Sequence, residues 1–545
     1  MSLSPEEIAR VTGGEWRPVA PDGDIESIST DTRLMRPTGS VRPTGSVRPT
    51  GSVRPGDLFV ALRGENFDGH DFLDRAAERG AMGLVVSRPV VGGKESAQRA
   101  HRQGGEGRGL PPLLVVPDTL RALGDIAIAW RKKCGDLSED SLRGACHRTA
   151  IAGSCGKTTT KEMLAAILRE HARDDGREPV LATHGNLNNL IGLPLTLLGL
   201  RDFHRWAVLE LGMNEPGELK RLAEIAEPDL LLLLNIGNAH VGKFGSLEAL
   251  LDAKADAVRA LRPGAPIVYD CGCGNTRKIV QEWGKGHPAI SFGVERVGAE
   301  SAQTGNPALD ADVRATRPQA VLRQGKDASA MGPNAPFCGY RFILEFRDAE
   351  ALPVEMPLFG RYNIENAAAA AAAAHALGAS PQAIVRAIGA FRAASMRSEI
   401  RETGAVTLVI DCYNANPESM GAALDSLEDL SEGGRRRVFL ALGDMLELGD
   451  SAGAFHAELG RRAARIGNSR LFLIGDLAAA ALSAWTGPRE AARHFGCGED
   501  LADALIGEVG SGDLVFFKAS RGVGLESVVE RFEAGLRRAG ARAGS

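Results

Sequence analysis

Short, continuously apolar runs recur along the chain and alternate with stretches in which apolar residues return every three or four positions. The runs lie at 206–211, 229–236, 406–410, 438–442, 471–474 and 514–517. Because their apolar residues are consecutive rather than alternating, they predict parallel strands covered by helices on both faces. The helical spacing between them, as at 159–171, 247–261 and 365–377, predicts an α/β architecture.

Polar segments interrupt this pattern. Residues 36–53 repeat Arg-Pro-Thr-Gly-Ser-Val three times, and a short Pro/Gly repeat of this kind has no face that could form a core. We interpret it as an expanded surface loop, and we interpret 92–112 and 297–336, which are rich in small, polar and charged residues, as insertions. Changes in composition near 134–144 and 392–397 predict three domains, with the bounds 1–143, 144–393 and 394–545.

The composition narrows the class of function. With 64 Lys and Arg against 69 Asp and Glu, the chain has no basic excess for binding nucleic acid. Its longest apolar runs are far shorter than the ~20 residues that cross a bilayer, and its N-terminus has acidic residues where a secretory signal is basic. The 8 cysteines lack paired Cys-x-x-Cys spacing, which predicts free thiols. We expect a cytoplasmic protein with no membrane span and no nucleic-acid partner.

The most specific local pattern is a glycine turn between an apolar strand and a helix. It consists of Gly153, Ser154, Cys155, Gly156, Lys157, Thr158 and Thr159. In such a loop, backbone N–H groups converge on phosphate oxygens, the lysine reaches the terminal phosphates and the threonine offers its hydroxyl to Mg²⁺. Ile151 stands where the longer form of this motif has its first glycine, so the chain carries the shorter form. The alternative is a structural turn that contains a lysine by chance.

Further motifs follow this loop in a fixed order. They are GNLNN at 185–189, ELGMN at 210–214, NAH at 238–240, DAKAD at 252–256, GRYNIEN at 360–366 and DCYNANP at 411–417. Together with GSCGKTT they resemble the Mur ligases over nearly the whole chain, apart from the three polar segments. DCYNANP and the later GDMLELG at 443–449 are similar to the branch that joins D-alanyl-D-alanine to UDP-N-acetylmuramoyl-tripeptide.

The resemblance implies an α/β protein of three domains. The first would bind the UDP substrate, the second would be a parallel sheet with the P-loop, and the third would be a Rossmann-like domain that binds the dipeptide and closes on ATP. ATP would phosphorylate the peptide carboxylate, and the amine of D-alanyl-D-alanine would attack the acyl phosphate, giving UDP-MurNAc-pentapeptide, ADP and phosphate. The resemblance also implies two Mg²⁺ ions, and we expect a monomer.

Four residues are the catalytic candidates. Lys157 would bind the terminal phosphates. Glu210 ends an apolar strand, where side chains project into the crevice at the carboxyl edge of a sheet, and by resemblance it would hold Mg²⁺ together with Thr158. His240 would bind a second Mg²⁺, and Lys254 would do so after carbamylation of its ε-amine. The alternatives are an exposed acid paired with a lysine, a packed histidine, and a solvated lysine beside Asp252 or Asp256.

The remaining candidates fall into two groups. By resemblance, Asn363 reaches the adenine, Arg397 reaches a nucleotide phosphate after domain closure, and Asp411 contacts the ribose, which completes an ATP site with the loop residues 153–159. The substrate-binding candidates are Ser29, Thr30, Asp31, Arg33, Asn186, Asn188, Tyr413, Asn414, Asn416, Ser520 and Arg521. Because Asn-Pro is a common turn signal, Asn416 has a structural alternative, and Asn366 has one as a helix-face or capping residue.

Three other functions remain open at this stage. One is another amide ligase of the same fold, either a different Mur-type enzyme or one resembling folylpolyglutamate synthase. A second, from a different class, is a P-loop ATPase that uses nucleotide binding as a switch. A third is a degenerate binding module, which the presence of Lys157, Thr158, Glu210 and His240 disfavours.

Overall fold

The computed structural model describes residues 2–31, 53–64, 67–88, 110–139, 146–173, 178–237, 244–295, 310–322, 337–431 and 436–543. Arg33, His240, most of the tandem repeat and most of the segment 92–112 lie outside the described residues. Within these ranges, three sheets of five, nine and six strands follow one another along the chain.

The first sheet has the strand order β1-β5-β4-β3-β2 and is parallel except for the pair β1 and β5. Its strands are β1 (Glu15–Arg17), β2 (Ile28–Ser29), β3 (Leu58–Val60), β4 (Gly83–Val86) and β5 (Leu113–Val115). Its helices are α1 (Pro5–Thr12), α2 (Leu73–Glu78) and α3 (Thr119–Glu139). The Ser4 hydroxyl accepts a hydrogen bond from the Glu7 N–H at 3.2 Å, which caps α1.

The second sheet has the order β14-β13-β12-β11-β10-β9-β6-β8-β7. Its strands are β6 (His147–Ala152), β7 (Val180–Ala182), β8 (Trp206–Glu210), β9 (Leu230–Leu233), β10 (Ile267–Asp270), β11 (Ala289–Val294), β12 (Val313–Leu322), β13 (Phe337–Phe346) and β14 (Leu352–Met356). Its helices are α4 (Lys157–His171), α5 (Gly192–Leu197), α6 (Glu218–Ala226), α7 (Leu247–Arg259), α8 (Gly274–Trp283), α9 (Tyr362–Ala376) and α10 (Pro381–Ala390). β6 to β12 pair in parallel, and β12, β13 and β14 are antiparallel to one another.

The prediction that 297–336 is an insertion without regular structure is wrong for its central part, because β12 spans ten of these residues. The strand was missed because its burial alternates. Val313 and Ala315 are buried, whereas Arg314 and Arg317 are not. An antiparallel strand near a sheet edge needs an apolar residue only at every second position, so it lacks the continuous run that identifies the inner strands.

The third sheet has the order β15-β16-β20-β17-β18-β19, and only β15 is antiparallel to its neighbour. Its strands are β15 (Glu399–Thr403), β16 (Val406–Ile410), β17 (Val438–Gly443), β18 (Ser469–Ile474), β19 (Ala492–Phe495) and β20 (Leu514–Lys518). The helices that accompany it are α11 (Pro417–Leu430), α12 (Ala452–Ala463), α13 (Ala479–Ser483), α14 (Gly498–Glu508) and α15 (Glu526–Ala543). The expected α/β layers are therefore present.

Helix α3 connects the first sheet to the second. It packs against α1 and also against α5 and α6. Its buried Arg131 pairs with Glu227, and Arg148 at the start of β6 pairs with Asp229 at 2.9 Å. Since a buried charge is stable only when it is paired, this network fixes α3 against the strand that leads into the phosphate loop.

The alanine-rich helix α9 packs against α4, the helix that follows the phosphate loop. The eight alanines from Ala367 to Ala374 are at most 1% exposed. Methyl side chains let two helix backbones approach closely, and the helix predicted at 365–377 is present as α9. The position of α4 therefore depends on a helix almost two hundred residues further along the chain.

We expect Ala370→Leu to destabilise the protein by about 1–3 kcal/mol, because extra methylene groups in a filled core force side chains and backbone apart. Scanning calorimetry should show a lower Tm. Ala454→Leu, on an exposed face of α12, is the matched control and should change stability by less than about 0.5 kcal/mol. An unchanged Tm for Ala370→Leu would show that α9 is loosely packed.

Candidate active site

A glycine turn joins the buried strand β6 to α4. Gly153 and Gly156 have φ values of +152° and +83°, which disfavour residues with a side chain. A Cβ atom on Gly156 would overlap Asn366 Oδ1, so only glycine fits there. Helix α4 begins at Lys157, two residues before the predicted start. The strand, turn and helix of the predicted phosphate loop are present.

The loop is held by residues that follow β9. The Ser154 N–H donates to the Asn235 carbonyl at 2.8 Å, and the Cys155 N–H donates to Asn235 Oδ1 at 3.1 Å. The Gly237 N–H donates to Ser154 Oγ at 3.1 Å. Sequence reasoning missed Asn235, although a polar residue just past an apolar strand is a usable signal.

Two lysines converge on the loop. Lys157 Nζ donates to the Gly153 and Ser154 carbonyls at 2.9 and 3.1 Å, and Lys254 Nζ lies 3.4 Å from the Gly153 carbonyl. Burial, and then the charge of Lys157, lowers the pKa of Lys254 to about 7. Lys254 is 5% exposed, and both Asp252 and Asp256 pair with Arg259. The interpretation of Lys254 as a solvated lysine is therefore wrong.

Glu210 lies at the end of β8 and is 2% exposed. Its Oε1 accepts hydrogen bonds from Thr158 Oγ1 at 3.1 Å and from Asn188 Nδ2 at 2.8 Å. Its Oε2 is buried without a hydrogen-bond partner among the residues that the structure describes. Glu210 is thus not the exposed acid of the alternative interpretation.

These oxygens fit a divalent cation. Buried polar atoms normally have a partner, so the unpaired Oε2 indicates a group that binds there. Carboxylate and hydroxyl oxygens are the hard ligands that Mg²⁺ prefers. Among the described side chains, no cluster of three or more His, Cys, Asp or Glu residues could hold a metal ion, and His240 lies outside them. Glu210 and Thr158 are the part of the predicted metal set that the structure brings together.

A second buried lysine is linked through Thr183 to the backbone of Glu210. Lys161 is fully buried and donates from Nζ to the Thr183 carbonyl at 2.5 Å, while the Thr183 hydroxyl accepts a hydrogen bond from the Glu210 N–H at 3.0 Å. Sequence reasoning missed Lys161 and Thr183. Lys161 lies one helical turn after Thr158, so its position on the same face of α4 was readable from the spacing.

Two asparagines of α9 are turned toward the core. Asn366 Oδ1 accepts from Thr160 Oγ1 at 3.2 Å, and Asn366 Nδ2 donates to Asn363 Oδ1 at 2.8 Å. Asn363 Nδ2 donates to the Phe359 carbonyl at 2.7 Å. Both side chains are buried. The adenine contact of Asn363 stays a prediction. Asn366 also packs against Gly156 of the phosphate loop, a contact that the sequence did not reveal.

The segment before β15 reaches the phosphate-loop helix. Arg397 lines a narrow cavity together with Thr158, Thr159 and Glu162. Its guanidinium carbon lies 3.8 Å from the centroid of the Tyr413 ring, which is the range of a cation–π contact. The neighbouring Ser398 has φ +54° and donates its N–H to Asp411 Oδ1 at 3.0 Å. The structure therefore places Arg397 beside Thr158 and Thr159.

Residues that follow β16 and β20 lie next to Arg397 and Tyr413. Lys518 Nζ donates to Asp411 Oδ2 at 2.5 Å and to the carbonyl of the exposed Asn414 at 3.2 Å. Arg521 lies 5.3 Å from the Tyr413 ring centroid. Among the described residues, neither Arg397 nor Arg521 has a carboxylate within ion-pair distance, so both guanidinium groups are available to an anion.

Two substrate candidates have clear structural roles. The buried Ser520 hydroxyl donates to the Ala415 carbonyl at 3.2 Å and accepts from the Leu446 N–H at 3.0 Å, which ties three loops together. Asn416 caps α11, where its Oδ1 accepts from the Ser419 N–H at 2.8 Å. Asn416 therefore has a structural role, as a helix cap rather than as the turn residue of the alternative interpretation.

Asn416 also touches the phosphate loop, since its Nδ2 lies 3.6 Å from Cys155 Sγ. Glu418, in the first turn of α11, places Oε2 3.5 Å from the same sulfur. Sequence reasoning did not single out Glu418. The beginning of α11 is therefore in direct contact with the loop.

The first-sheet candidates lie at one end of β2. The buried Ser29 donates its hydroxyl to the Asp31 carbonyl at 3.2 Å, and Thr30 is half-buried between them. The Val53 N–H donates to the same Asp31 carbonyl at 3.0 Å. Asn186 is exposed in the turn that carries Asn188, and only Asn188 reaches Glu210.

Comparisons with known proteins agree with this arrangement. Residues 51–131 match the model of the Mur ligase family, catalytic domain; residues 151–374 match the Mur ligase middle domain; and residues 396–521 match the Mur ligase, glutamate ligase domain. The UDP-N-acetylmuramoyl-tripeptide--D-alanyl-D-alanine ligase of Bacillus subtilis is 31% identical over 87% of this chain and 89% of its own length. The ligase of the same name from Escherichia coli is 31% identical over 93% and 91%.

Solved structures that resemble this chain include Mur ligases as well. A crystal structure of MurF from Acinetobacter baumannii has a TM-score of 0.76 at 29% identity and covers 98% of this chain and 99% of that one. MurF ligase from Thermotoga maritima in complex with ADP has a TM-score of 0.69 at 26% identity over 89% and 96%.

We expect Glu210→Gln to remove the effect of Mg²⁺ on nucleotide binding, because an amide keeps the shape of the side chain but loses the charge that holds a cation. Residues that only hydrogen-bond to a metal ligand already contribute about 10–100-fold to metal affinity. We therefore expect the gain in ADP affinity that Mg²⁺ produces to fall at least about tenfold. Isothermal titration with ADP, with and without Mg²⁺, measures it. Glu224→Gln, exposed on α6, is the control. Equal Mg²⁺ dependence in the two variants would contradict the metal assignment.

Proposed function

The chain belongs to the Mur ligase family and is an ATP-dependent ligase that forms a carbon–nitrogen bond, and from this premise we propose the reaction that its site performs. It adds D-alanyl-D-alanine to UDP-N-acetylmuramoyl-tripeptide through an acyl phosphate. The products are the UDP-MurNAc-pentapeptide precursor of peptidoglycan, ADP and phosphate. The relatives named above that match most of the chain are ligases with this activity in their names.

One contact carries the proposal. Asn416, at the beginning of α11, lies against Cys155 in the phosphate loop. An amide forms only where the amine and the activated carboxyl group meet. The segment 411–417, which is similar to the dipeptide-binding branch, follows β16 of the third sheet and reaches the loop where ATP would be held. Phosphoryl transfer and amide formation can therefore occur at one place.

The first step brings together two anions, the peptide carboxylate and the γ-phosphate. Their repulsion has to be offset by cations fixed in place before the reaction. Lys157, at the loop, holds the terminal phosphates, and Arg397 approaches them from beside Thr158 and Thr159. The N–H groups at the beginning of α4 bind the remaining phosphate oxygens, because those of Ser154 and Cys155 already donate to Asn235.

Two Mg²⁺ sites complete the proposal. Thr158 and the unpaired oxygen of Glu210 would hold one ion beside the phosphate loop, and His240 and Lys254 would hold the other. When bound, the ions neutralise phosphate charge and align the phosphoryl group with the attacking carboxylate. Asn188 and the Thr183–Lys161 pair keep Glu210 in position.

Lys254 serves as a metal ligand only after it is carboxylated on Nζ. An ammonium beside Lys157 would repel Mg²⁺, whereas a carbamate is an anionic oxygen ligand. Only the neutral amine adds CO₂, and the pKa of about 7 leaves a large neutral fraction at physiological pH. Burial of the side chain also keeps the product away from bulk water.

The remaining candidates bind the ends of the substrates. Asn363 and Asp411 contact the adenine and ribose of ATP. Ser29, Thr30, Asp31 and Arg33 bind the uridine nucleotide, and Asn186 and Asn188 face the tripeptide. Tyr413, Asn414 and Arg521 receive the dipeptide, whose carboxylate suits the unpaired guanidinium of Arg521. Ser520 and Asn416 act through the loops they hold.

The domain bounds 1–143, 144–393 and 394–545, the cytoplasmic location and the monomeric state also remain part of this proposal. Among the described helices, none has the length and apolar character needed to cross a bilayer.

We expect the protein to release ADP only when UDP-MurNAc-tripeptide and D-alanyl-D-alanine are both present with ATP and Mg²⁺, because the acyl phosphate needs its amine acceptor to turn over. A coupled ADP assay measures this. Folate with glutamate is the control for a folylpolyglutamate-synthase-like ligase. Hydrolysis of ATP that is independent of the dipeptide would instead favour the P-loop switch.

We also expect Lys254→Ala to lose ligase activity and to regain part of it with short carboxylic acids, because a small acid can occupy the position of the carbamate. Lys220→Ala, exposed on α6, should keep full activity. Activity is measured as ADP release at increasing acetate or formate concentration. An undiminished Lys254→Ala variant would exclude Lys254 as a metal ligand.

A further inference from the structure

The segment that follows β17 exposes a leucine next to the proposed dipeptide site. Met445 is buried, and its N–H donates to the buried His456 Nε2 at 3.0 Å, whereas the next residue, Leu446, is 40% exposed. Glu447, which follows, has φ +63°, in the left-handed region that residues with a side chain seldom adopt. The backbone therefore turns sharply directly after Leu446, whose side chain stays outside the core.

Two hydrogen bonds connect this segment to the residues that follow β20. The Ser520 N–H donates to the Asp444 carbonyl at 3.0 Å, and the Leu446 N–H donates to Ser520 Oγ at 3.0 Å. The side chain of Leu446 reaches Gly522, since a Cβ atom added to that glycine would lie 2.9 Å from Leu446 Cδ1. Leu446 is thus held against both neighbours of Arg521 in the chain.

This position matters because of the group that Arg521 is proposed to bind. A single exposed leucine is ordinary on a protein surface, but this one is fixed beside a guanidinium that is proposed to receive the carboxylate of the dipeptide. In a C-terminal alanine, the carboxylate and the methyl group are attached to the same carbon atom. A dipeptide whose carboxylate binds Arg521 therefore brings its terminal methyl group to the side chains around Arg521, of which Leu446 is an apolar one.

We propose that Leu446 contacts the methyl group of the C-terminal D-alanine and limits the size of the residue that is accepted there. The inference rests on the proposed function and deepens it by naming a specificity-determining residue for the dipeptide. Arg521 then binds the charged end of the terminal residue, and Leu446 covers its side chain. The contact removes two apolar surfaces from water, which favours alanine over glycine.

The first test compares D-alanyl-D-alanine with D-alanyl-glycine as acceptors for the unsubstituted protein and for Leu446→Ala. One methyl group in an apolar contact changes kcat/KM by about 10- to 200-fold, so the unsubstituted protein should prefer D-alanyl-D-alanine by such a factor. We expect this preference to fall at least about tenfold in Leu446→Ala, because the methyl group loses its partner. Both acceptors are measured with the same preparation, so a smaller fraction of folded enzyme cancels in the ratio.

Two further variants serve as controls. Leu446→Met keeps an apolar side chain of similar volume and should keep most of the preference. Val19→Ala shortens another exposed apolar residue, which follows β1 beside the first sheet, and should leave the preference unchanged.

A second measurement looks for a gain of activity. Leu446→Ala should use D-alanyl-D-leucine with a kcat/KM at least about tenfold higher than that of the unsubstituted protein, because the shortened side chain leaves room for the larger residue. A variant that is only destabilised cannot gain activity toward any acceptor. Absence of this gain would overturn the size limit.

Two results would overturn the methyl contact itself. One is an equal loss of kcat/KM for all three acceptors in Leu446→Ala, which would show that Leu446 only holds its loop. The other is a preference for D-alanyl-D-alanine over D-alanyl-glycine that this variant retains in full. If the unsubstituted protein did not use D-alanyl-D-alanine at all, the proposed function would fail, and this inference with it.

Discussion

The structure of the site depends on how closely other segments approach one glycine turn. Gly156 has no room for a Cβ atom, because Asn366 of α9 lies against it, and Asn235 binds both neighbouring N–H groups of the loop. These partners are uncharged amides. They fix the loop without neutralising the ammonium group of Lys157, so that charge remains available at the place where phosphate would bind. The position of the loop is thus set by neutral contacts and its chemistry by charges.

The buried charges of this site are poorly compensated within the described protein. Glu210 leaves one buried oxygen without a partner, and the pKa of Lys254 is lowered by burial and by its like-charged neighbour. Uncompensated buried charge destabilises a fold, and such groups persist where a ligand supplies the missing partner. Elsewhere the chain pairs its buried ions, as in the Arg131–Glu227 and Arg148–Asp229 pairs under α3. The contrast marks the loop as the site of binding.

The sequence predicted the inner strands closely because the signal is local. A strand covered on both faces is apolar along most of its length, and 406–410 and β16 coincide. The run 229–236 extends past the end of β9 at Leu233, since Asn235 leaves the sheet to bind the phosphate loop. β12 was missed because half of its positions face away from the core.

The difference between local and long-range signals also explains which residues of the site the sequence revealed. Gly153, Lys157 and Thr158 were found from consecutive residues, whereas Asn235 lies 80 positions from Cys155 and Asn416 lies 261 positions from it. Contacts at such separations leave no periodicity in one sequence. Glu418 and Lys161 are ordinary charged residues of helical segments until the fold places one against the loop and buries the other against the Thr183 carbonyl. What a single sequence lacks is therefore the set of residues that surround the loop, and these residues decide which charges at the site remain available to a substrate.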